Sequence, residues 1–323
     1  MRKPLEAPFP YFGKKSIIAA EVWQRFGDVP NYVEPFFGSG AVLLRRPEWH
    51  TGHIETVNDK DGLVSNFWRA IQKDPEKTAH YADWPVIEND LHARHIWLVG
   101  QKDSLQALLE GDPDYYDAKI AGWWAWGMSC WIGSGFCSRN GPWVVDENRQ
   151  LVHLGRGQGV TRKLIHLNDG GIGVNRPTTD IYDWFYALAE RLKRVRISCG
   201  DWTRICGPSP TFQLGLTGVF LDPPYSVGER EPNLYSEDAE GVAAEVRQYC
   251  LENGENPLLR IALCGYEGEH AMPDTWQVFH WRTPGGYGSQ GNGKGRANKD
   301  RETIWFSPSC LKVYQERMSL EGA

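Results

Sequence analysis

Asp222-Pro223-Pro224-Tyr225 joins a carboxylate, two prolines and an aromatic ring in one short stretch. Two prolines stiffen the backbone and remove two N–H donors, so their carbonyls stand as fixed acceptors. Such a set can grip an amino group on a planar base. The Asp222 carboxylate and the Pro223 carbonyl accept its two hydrogens, and Tyr225 stacks on the ring. Those hydrogen bonds draw the nitrogen lone pair out of conjugation and aim it at an electrophile. Upstream, Glu34-Pro35-Phe36-Phe37-Gly38-Ser39-Gly40 carries two glycines that let the backbone turn tightly and approach a ligand. Leu43 stands where a third phosphate-binding glycine would fall, and no Gly-Lys-Ser/Thr follows, so neither a dinucleotide fingerprint nor a P-loop is present. With Asp59 and Asp201 at two further strand ends, the turn suits a cationic, ribose-bearing cofactor that lacks phosphate. S-adenosylmethionine is such a molecule.

The surrounding sequence supplies elements that can hold these groups. Pro30 to Val33 reads as a short buried strand running into Glu34, and Ala41 to Arg46 as a helix stopped by Pro47. Ile54 to Val57 is a second strand. A helix from Gly62 to Gln72 sets Leu63, Phe67 and Ile71 on one face. This β-α-β-α opening predicts a doubly wound sheet, whose ligands lie beyond the carboxyl ends of the strands. The rhythm breaks from 78 to 179, where a helix at Ser104 to Leu109, a stretch with Trp123, Trp124, Trp126, Trp131 and Trp143, and a basic glycine loop follow one another. The rhythm returns with a helix capped by Thr179 or Asp180, then strands at Val195 to Cys199, Val219 to Leu221 and Leu258 to Leu263. Trp276 to Trp281 and Glu302 to Phe306 read as a closing antiparallel pair. The predicted organisation is a catalytic domain over 1–77 and 180–323 with an inserted subdomain over 78–179.

The chain has 323 residues, 41% of them hydrophobic and 24% charged, so a folded protein with a sizeable core is expected. Its net charge of −6 excludes a surface that is basic throughout, so contact with nucleic acid must come from local patches. Arg156, Arg162 and Lys163 form one candidate patch; Arg282, Lys294, Arg296, Lys299 and Arg301 form another. Neither a membrane span nor a secretory leader is expected. The seven cysteines are an odd set without a Cys-x-x-Cys pair, which fits a reducing cytoplasm and argues against disulfides and a zinc site. His92 and His95 read as surface or satisfied histidines without a third ligand, so no metal is expected. The tryptophans at 123–143 read as subdomain core.

Taken together, Tyr11-Phe12-Gly13-Lys14-Lys15, Glu34 to Val42, Asp59, Asp201, Asp222 to Tyr225 and Arg301 to Ser307 resemble, in order and spacing, the Dam-like, alpha-group DNA adenine-N6 methyltransferases. The resemblance spans most of the chain. It implies an α/β, Rossmann-like S-adenosylmethionine-dependent methyltransferase sheet, mostly parallel with an antiparallel last strand, and an inserted, largely helical DNA-recognition subdomain. It also implies roles for single residues. Tyr11, Gly13, Lys15, Glu34, Phe36, Gly38 and Gly40 would line the cofactor, Asp59 would bind its ribose hydroxyls and Asp201 its adenine amino group. Asp222 and Pro223 would hold the target amine, with Pro224 fixing the turn and Tyr225 stacking on a base flipped from duplex DNA. The family's double glycine before the lysine is here Gly13-Lys14, and its recognition stretch is altered to Trp126-Gly127-Met128-Ser129-Cys130-Trp131-Ile132-Gly133.

The expected activity is therefore methylation of adenine N6 in a specific duplex sequence. The residues alone leave open cytosine N4, an RNA exocyclic amine, or a DNA-binding relative that has lost catalysis. The resemblance implies direct in-line transfer of the methyl group to nitrogen, which suits the absence of a Pro-Cys dipeptide. The compact insert and the lack of a nuclease motif favour a stand-alone methylase; a cognate restriction endonuclease and a phage setting both remain compatible.

Overall fold

The computed structural model describes residues 4–11, 15–47, 49–131, 136–137, 143–146, 148, 150–153, 180–225, 239–281 and 302–313. Its centre is a seven-stranded sheet. In chain order its strands are β1 (Asn31–Glu34), β2 (Ile54–Asp59), β5 (Arg196–Cys199), β6 (Thr217–Leu221), β7 (Leu259–Tyr266), β8 (Gln277–Trp281) and β9 (Glu302–Phe306). Two further strands, β3 (Trp143–Val145) and β4 (Leu151–His153), form a separate antiparallel pair.

The spatial order is β5-β2-β1-β6-β7-β9-β8. The β1–β2, β1–β6, β2–β5 and β6–β7 pairs are parallel, and β9 runs antiparallel to both its neighbours. The expected α/β sheet, mostly parallel with an antiparallel last strand, is present. The order reverses direction between β1 and β6, so the loops leaving these two strands flank one crevice.

The strand sequences explain why the sheet is covered on both faces. Every residue of β1, β6 and β9 is buried, as central strands of a layered α/β sheet require. Alternate side chains enter two different cores. Tyr32, Phe220, Ala262, Ile304 and Phe306 belong to the larger one. Val33, Val219, Leu221, Ile261, Leu263 and Trp305 belong to the other, which 3₁₀ residues Trp202–Ile205 and α8 (Ala239–Asn253) help to close.

The larger core is closed by α1 (Ala19–Phe26), α2 (Ala41–Leu44), α3 (Gly62–Lys73), α4 (Pro75–Ala82), α5 (Glu88–Gly111), α6 (Ala118–Cys130) and α7 (Ile181–Leu192). Aspartates start four of them. Asp61, Asp74, Asp117 and Asp180 each accept a backbone N–H from the first turn. Asp180 is thus the cap of α7.

Three expectations need correction. The helix after the glycine turn ends at Leu44 rather than Arg46, because Arg45 already leaves helical geometry. The helix expected at Ser104–Leu109 is the end of the 24-residue α5. The boundary expected between 77 and 78 falls inside α4, and Leu91, Leu98, Trp124 and Trp126 share one hydrophobic cluster with Phe67 and Trp68.

Candidate functional site

The site grows from the carboxyl ends of β1, β2 and β6. After Glu34 the chain folds back on itself. Phe37 N–H donates to the Asn58 carbonyl (2.9 Å), Gly40 N–H donates to the Phe37 carbonyl (2.7 Å), and the Trp68 indole donates to the Gly38 carbonyl (2.8 Å). Gly38 and Gly40 have φ of +47° and +62°, which side-chain-bearing residues rarely adopt. A Cβ at Gly38 would also lie 2.4 Å from the Tyr11 ring. The N-terminal segment therefore passes directly over the turn. Phe36 stacks on Trp202, ring centres 6.2 Å apart.

Asp59 ties this turn to the next strand. Its Oδ2 accepts the Gly38 N–H (2.8 Å) and its Oδ1 the Asp61 N–H (2.9 Å). Burial, helped by the Asp61 charge, pushes its carboxyl up to about 7 against the pull of those two N–H groups. Glu34 is buried and accepts the Tyr32 hydroxyl at 2.9 Å. Burial raises its carboxyl well above the ordinary range, Asp222 and Asp59 add to the rise, and the Tyr32 bond opposes it. Asn58 donates to the carbonyls of Pro35 (3.2 Å) and Gly200 (2.9 Å), bracketing the ends of β1 and β5. Asp201 is exposed just after β5 and accepts the Thr203 N–H (3.0 Å).

Across the crevice, Asp222 to Tyr225 leave β6. Here the structure forms a cluster that motif reading did not foresee. Lys15 Nζ lies 3.1 Å from Asp222 Oδ1, 2.7 Å from the Tyr225 hydroxyl and 3.7 Å from Glu302 Oε2. The Tyr225 hydroxyl donates to Glu302 Oε2 at 2.9 Å. Burial works against the Lys15 charge, but Asp222 and Glu302 outweigh it and hold the ammonium above the usual lysine range. Tyr225 is only 3% exposed and packs edge-on against Tyr266. Asp222 is the open member, its side chain 22% exposed against 8% for Lys15.

The expected residues Tyr11, Lys15, Glu34, Phe36, Gly38, Gly40, Asp59, Asp201 and Asp222–Tyr225 thus lie at one end of the sheet. Lys15, expected to bind the cofactor, lies against Asp222, and Tyr225, expected to stack on a flipped base, is 3% exposed. Gly13, Arg156, Arg162, Lys163, Arg282, Lys294, Arg296, Lys299 and Arg301 lie outside the described residues. Reading the sequence missed Glu302, Asn58 and Tyr32. A signal existed for two of them: Glu302 is the charged residue of the short buried strand Glu302–Phe306, and Tyr32 shares a strand face with Glu34.

One other group of described residues has metal-ligand chemistry, Asp28, His50 and His53 at the amino ends of β1 and β2. His53 Nε2 lies 2.8 Å from Asp28 Oδ1. Each imidazole receives a backbone N–H on Nδ1, from Gly52 and from His50 respectively, which places the ring proton on Nε2. That tautomer turns no nitrogen lone pair toward a cation, and Arg46 adds positive charge 3.4 Å from Asp28. The expectation for His95 needs correction. It is fully buried, and its Nε2 has no hydrogen-bond partner among the described residues. Trp124, Trp126 and Trp131 are buried as expected of a core.

All seven cysteines are buried. Among the described residues no helix is long and apolar enough to cross a membrane. No protein-family model matches the chain, and no curated protein matches it either.

Proposed function

We propose that this chain is an S-adenosylmethionine-dependent methyltransferase that methylates the N6 amino group of adenine in a specific duplex DNA sequence. One observation carries the reading. The Glu34–Gly40 turn and the Asp222–Tyr225 turn leave adjacent parallel strands, β1 and β6, at the point where the strand order reverses. The motif resemblance supports the same reading from the residues themselves.

The donor set suits the cofactor. Carboxyl groups of Glu34, Asp59, Asp201 and Asp222 gather at these strand ends, an environment that favours a cation carrying hydroxyl and amino donors. Gly38 and Gly40 would pass beneath its methionine portion. Asp59 gives one lone pair on each oxygen to a backbone N–H and keeps others for ribose hydroxyls. Asp201, exposed beyond β5, would accept from the adenine amino group. Bound there, the cofactor supplies an electrophilic methyl group.

The chain's own part is to hold the nucleophile. Asp222 and the Pro223 carbonyl accept the two hydrogens of the target amine, and Pro224 keeps that carbonyl fixed. Tyr225 backs the base. Alignment of amine and methyl group, rather than a covalent enzyme–base adduct, would supply most of the acceleration. A base within a duplex must first leave its stack, at a cost of a few kcal/mol.

The test is transfer of labelled methyl from S-adenosylmethionine to duplexes methylatable only at adenine, duplexes methylatable only at cytosine, and RNA. Label on the adenine duplex is expected. Label confined to RNA or to cytosine, or no label at all, refutes the reading.

A further inference from the structure

We propose that Glu302 is a positioning residue of this site: it fixes Tyr225 and receives the Lys15 ammonium when a substrate amino group claims Asp222. The proposal rests on the function proposed above. Glu302 is the first residue of β9, on the far side of β7 from the Pro-Pro turn, and is 7% exposed. Its Oε2 accepts the Tyr225 hydroxyl at 2.9 Å and stands 3.7 Å from Lys15 Nζ.

Lys15 faces two carboxylates and sits nearer the one that substrate must use, 3.1 Å against 3.7 Å. A protonated lysine offers N–H donors to Asp222 in the same manner as an exocyclic amine would. Lys15 therefore occupies an acceptor that the proposed catalysis needs. Substrate can arrive only at the open member, Asp222, because the Lys15 and Glu302 side chains are 8% and 9% exposed. Once displaced, a buried ammonium without a counterion is strongly disfavoured. A shift of about 1 Å brings Lys15 to ordinary ion-pair distance from Glu302. The Tyr225 hydroxyl, held by Glu302 and in contact with Lys15, keeps the ring in place during the exchange.

Glu302→Gln and Glu302→Asp separate these roles. Glutamine still accepts the Tyr225 hydroxyl but cannot balance Lys15. KM for the DNA substrate should rise about tenfold in Glu302→Gln while kcat changes less than about threefold. Glu302→Asp, which keeps the charge, should recover part of the loss. An unchanged KM, a fall in kcat alone, or an Asp variant as impaired as the Gln variant would overturn the proposal.

A second measurement needs no activity. The rate at which acetic anhydride acylates Lys15, relative to the exposed Lys193, is read by peptide mass spectrometry. It should increase at least about fivefold in Glu302→Gln, because a less stabilised ammonium is more often the neutral, reactive amine; equal rates refute the proposal. If the Gln variant does not fold, the same comparison is made on Glu302→Asp, whose carboxylate lies one methylene farther from Lys15. A rise supports the proposal and none overturns it. A wild-type chain that methylates no nucleic acid would sink the functional reading, while the acylation rates would still decide whether Glu302 holds Lys15.

Discussion

Lys15 Nζ lies 3.1 Å from Asp222 Oδ1, so the chain itself supplies a counterion to the carboxylate of the Pro-Pro turn. The two residues come from opposite ends of the site, one just ahead of α1 and the other just beyond β6. The contact joins the N-terminal segment, which also lays Tyr11 over Gly38, to the strand that carries the Pro-Pro turn. The residues proposed to face the cofactor and those proposed to face the substrate are thus linked by one charged contact.

Replacing Asp222 tests that contact from the substrate side. Asp222→Ala removes the acceptor proposed for the target amine and leaves Lys15 with the Tyr225 hydroxyl and the Glu302 carboxylate. Methyl transfer should fall by at least about a thousandfold, as for loss of a preorganised group acting directly on the reacting atoms. Binding of a non-reactive cofactor analogue should persist in part, since the glycine turn and Asp59 are untouched. Single-turnover label transfer and titration calorimetry on the same preparation measure the two effects. Unchanged turnover would remove Asp222 from the mechanism.

Gly38→Ala tests the cofactor side. A Cβ there meets the Tyr11 ring at 2.4 Å and forces alanine to a φ of +47°. The left-handed backbone alone costs about 1–2 kcal/mol. The urea midpoint should drop and the affinity for a cofactor analogue should fall at least about tenfold. Adding Tyr11→Ala relieves the ring contact but not the backbone strain, so stability should return only in part. Full recovery in the double variant would show that the left-handed conformation itself is unimportant.

What the sequence disclosed follows from the range of the interactions. Apolar runs such as Val219-Phe220-Leu221 and the alternation around Ile197 are local, and the strands were legible. The strand ends, with Glu34, Asp59, Asp201 and Asp222, followed from them. Helix α5 was under-read for a physical reason. Its buried positions are Leu91, Arg94, His95, Leu98, Leu105 and Leu109, so two polar residues sit on the buried face and interrupt the apolar spacing of an ordinary amphipathic helix. The Lys15–Asp222–Tyr225–Glu302 cluster was hidden because no local pattern reports which distant side chains meet. The order of the sheet was hidden for the same reason.

A buried ion cluster at the other end of β2 provides a contrast. Glu55 accepts two hydrogen bonds from Arg191, at 2.7 and 2.9 Å, and one from Arg46 at 3.2 Å. All three side chains are at most 7% exposed. Glu55→Gln leaves two buried guanidinium groups without their shared anion and should destabilise the fold by about 3 kcal/mol or more. Methyl transfer per folded molecule should stay unchanged, because Glu55 lies toward the amino ends of the strands. Urea unfolding and active-site titration separate these effects, and a loss of specific activity without loss of stability would contradict the assignment.

His95 sets an acid limit on the helical layer. Its ring stacks on Trp131, centres 4.7 Å apart, and its Nδ1 accepts the Cys137 N–H at 3.3 Å. The proton therefore sits on Nε2, in a buried position. Burial, with a small contribution from His92, lowers its pKa to about 4 from the ordinary 6.5. The unfolded chain then takes up a proton near pH 6.5 while the folded chain resists until about pH 4. Stability from this residue is complete above pH 6.5 and is lost as the pH falls through 4, up to about 3 kcal/mol. His95→Phe keeps an aromatic ring against Trp131 and abolishes the titration. It should cost about 1 kcal/mol at pH 7.5, where the Cys137 N–H loses its acceptor, yet lose less stability than the wild type between pH 7.5 and 4.5. Urea midpoints at those two pH values, measured for both proteins, decide the matter: equal losses would mean that His95 is not the group that titrates.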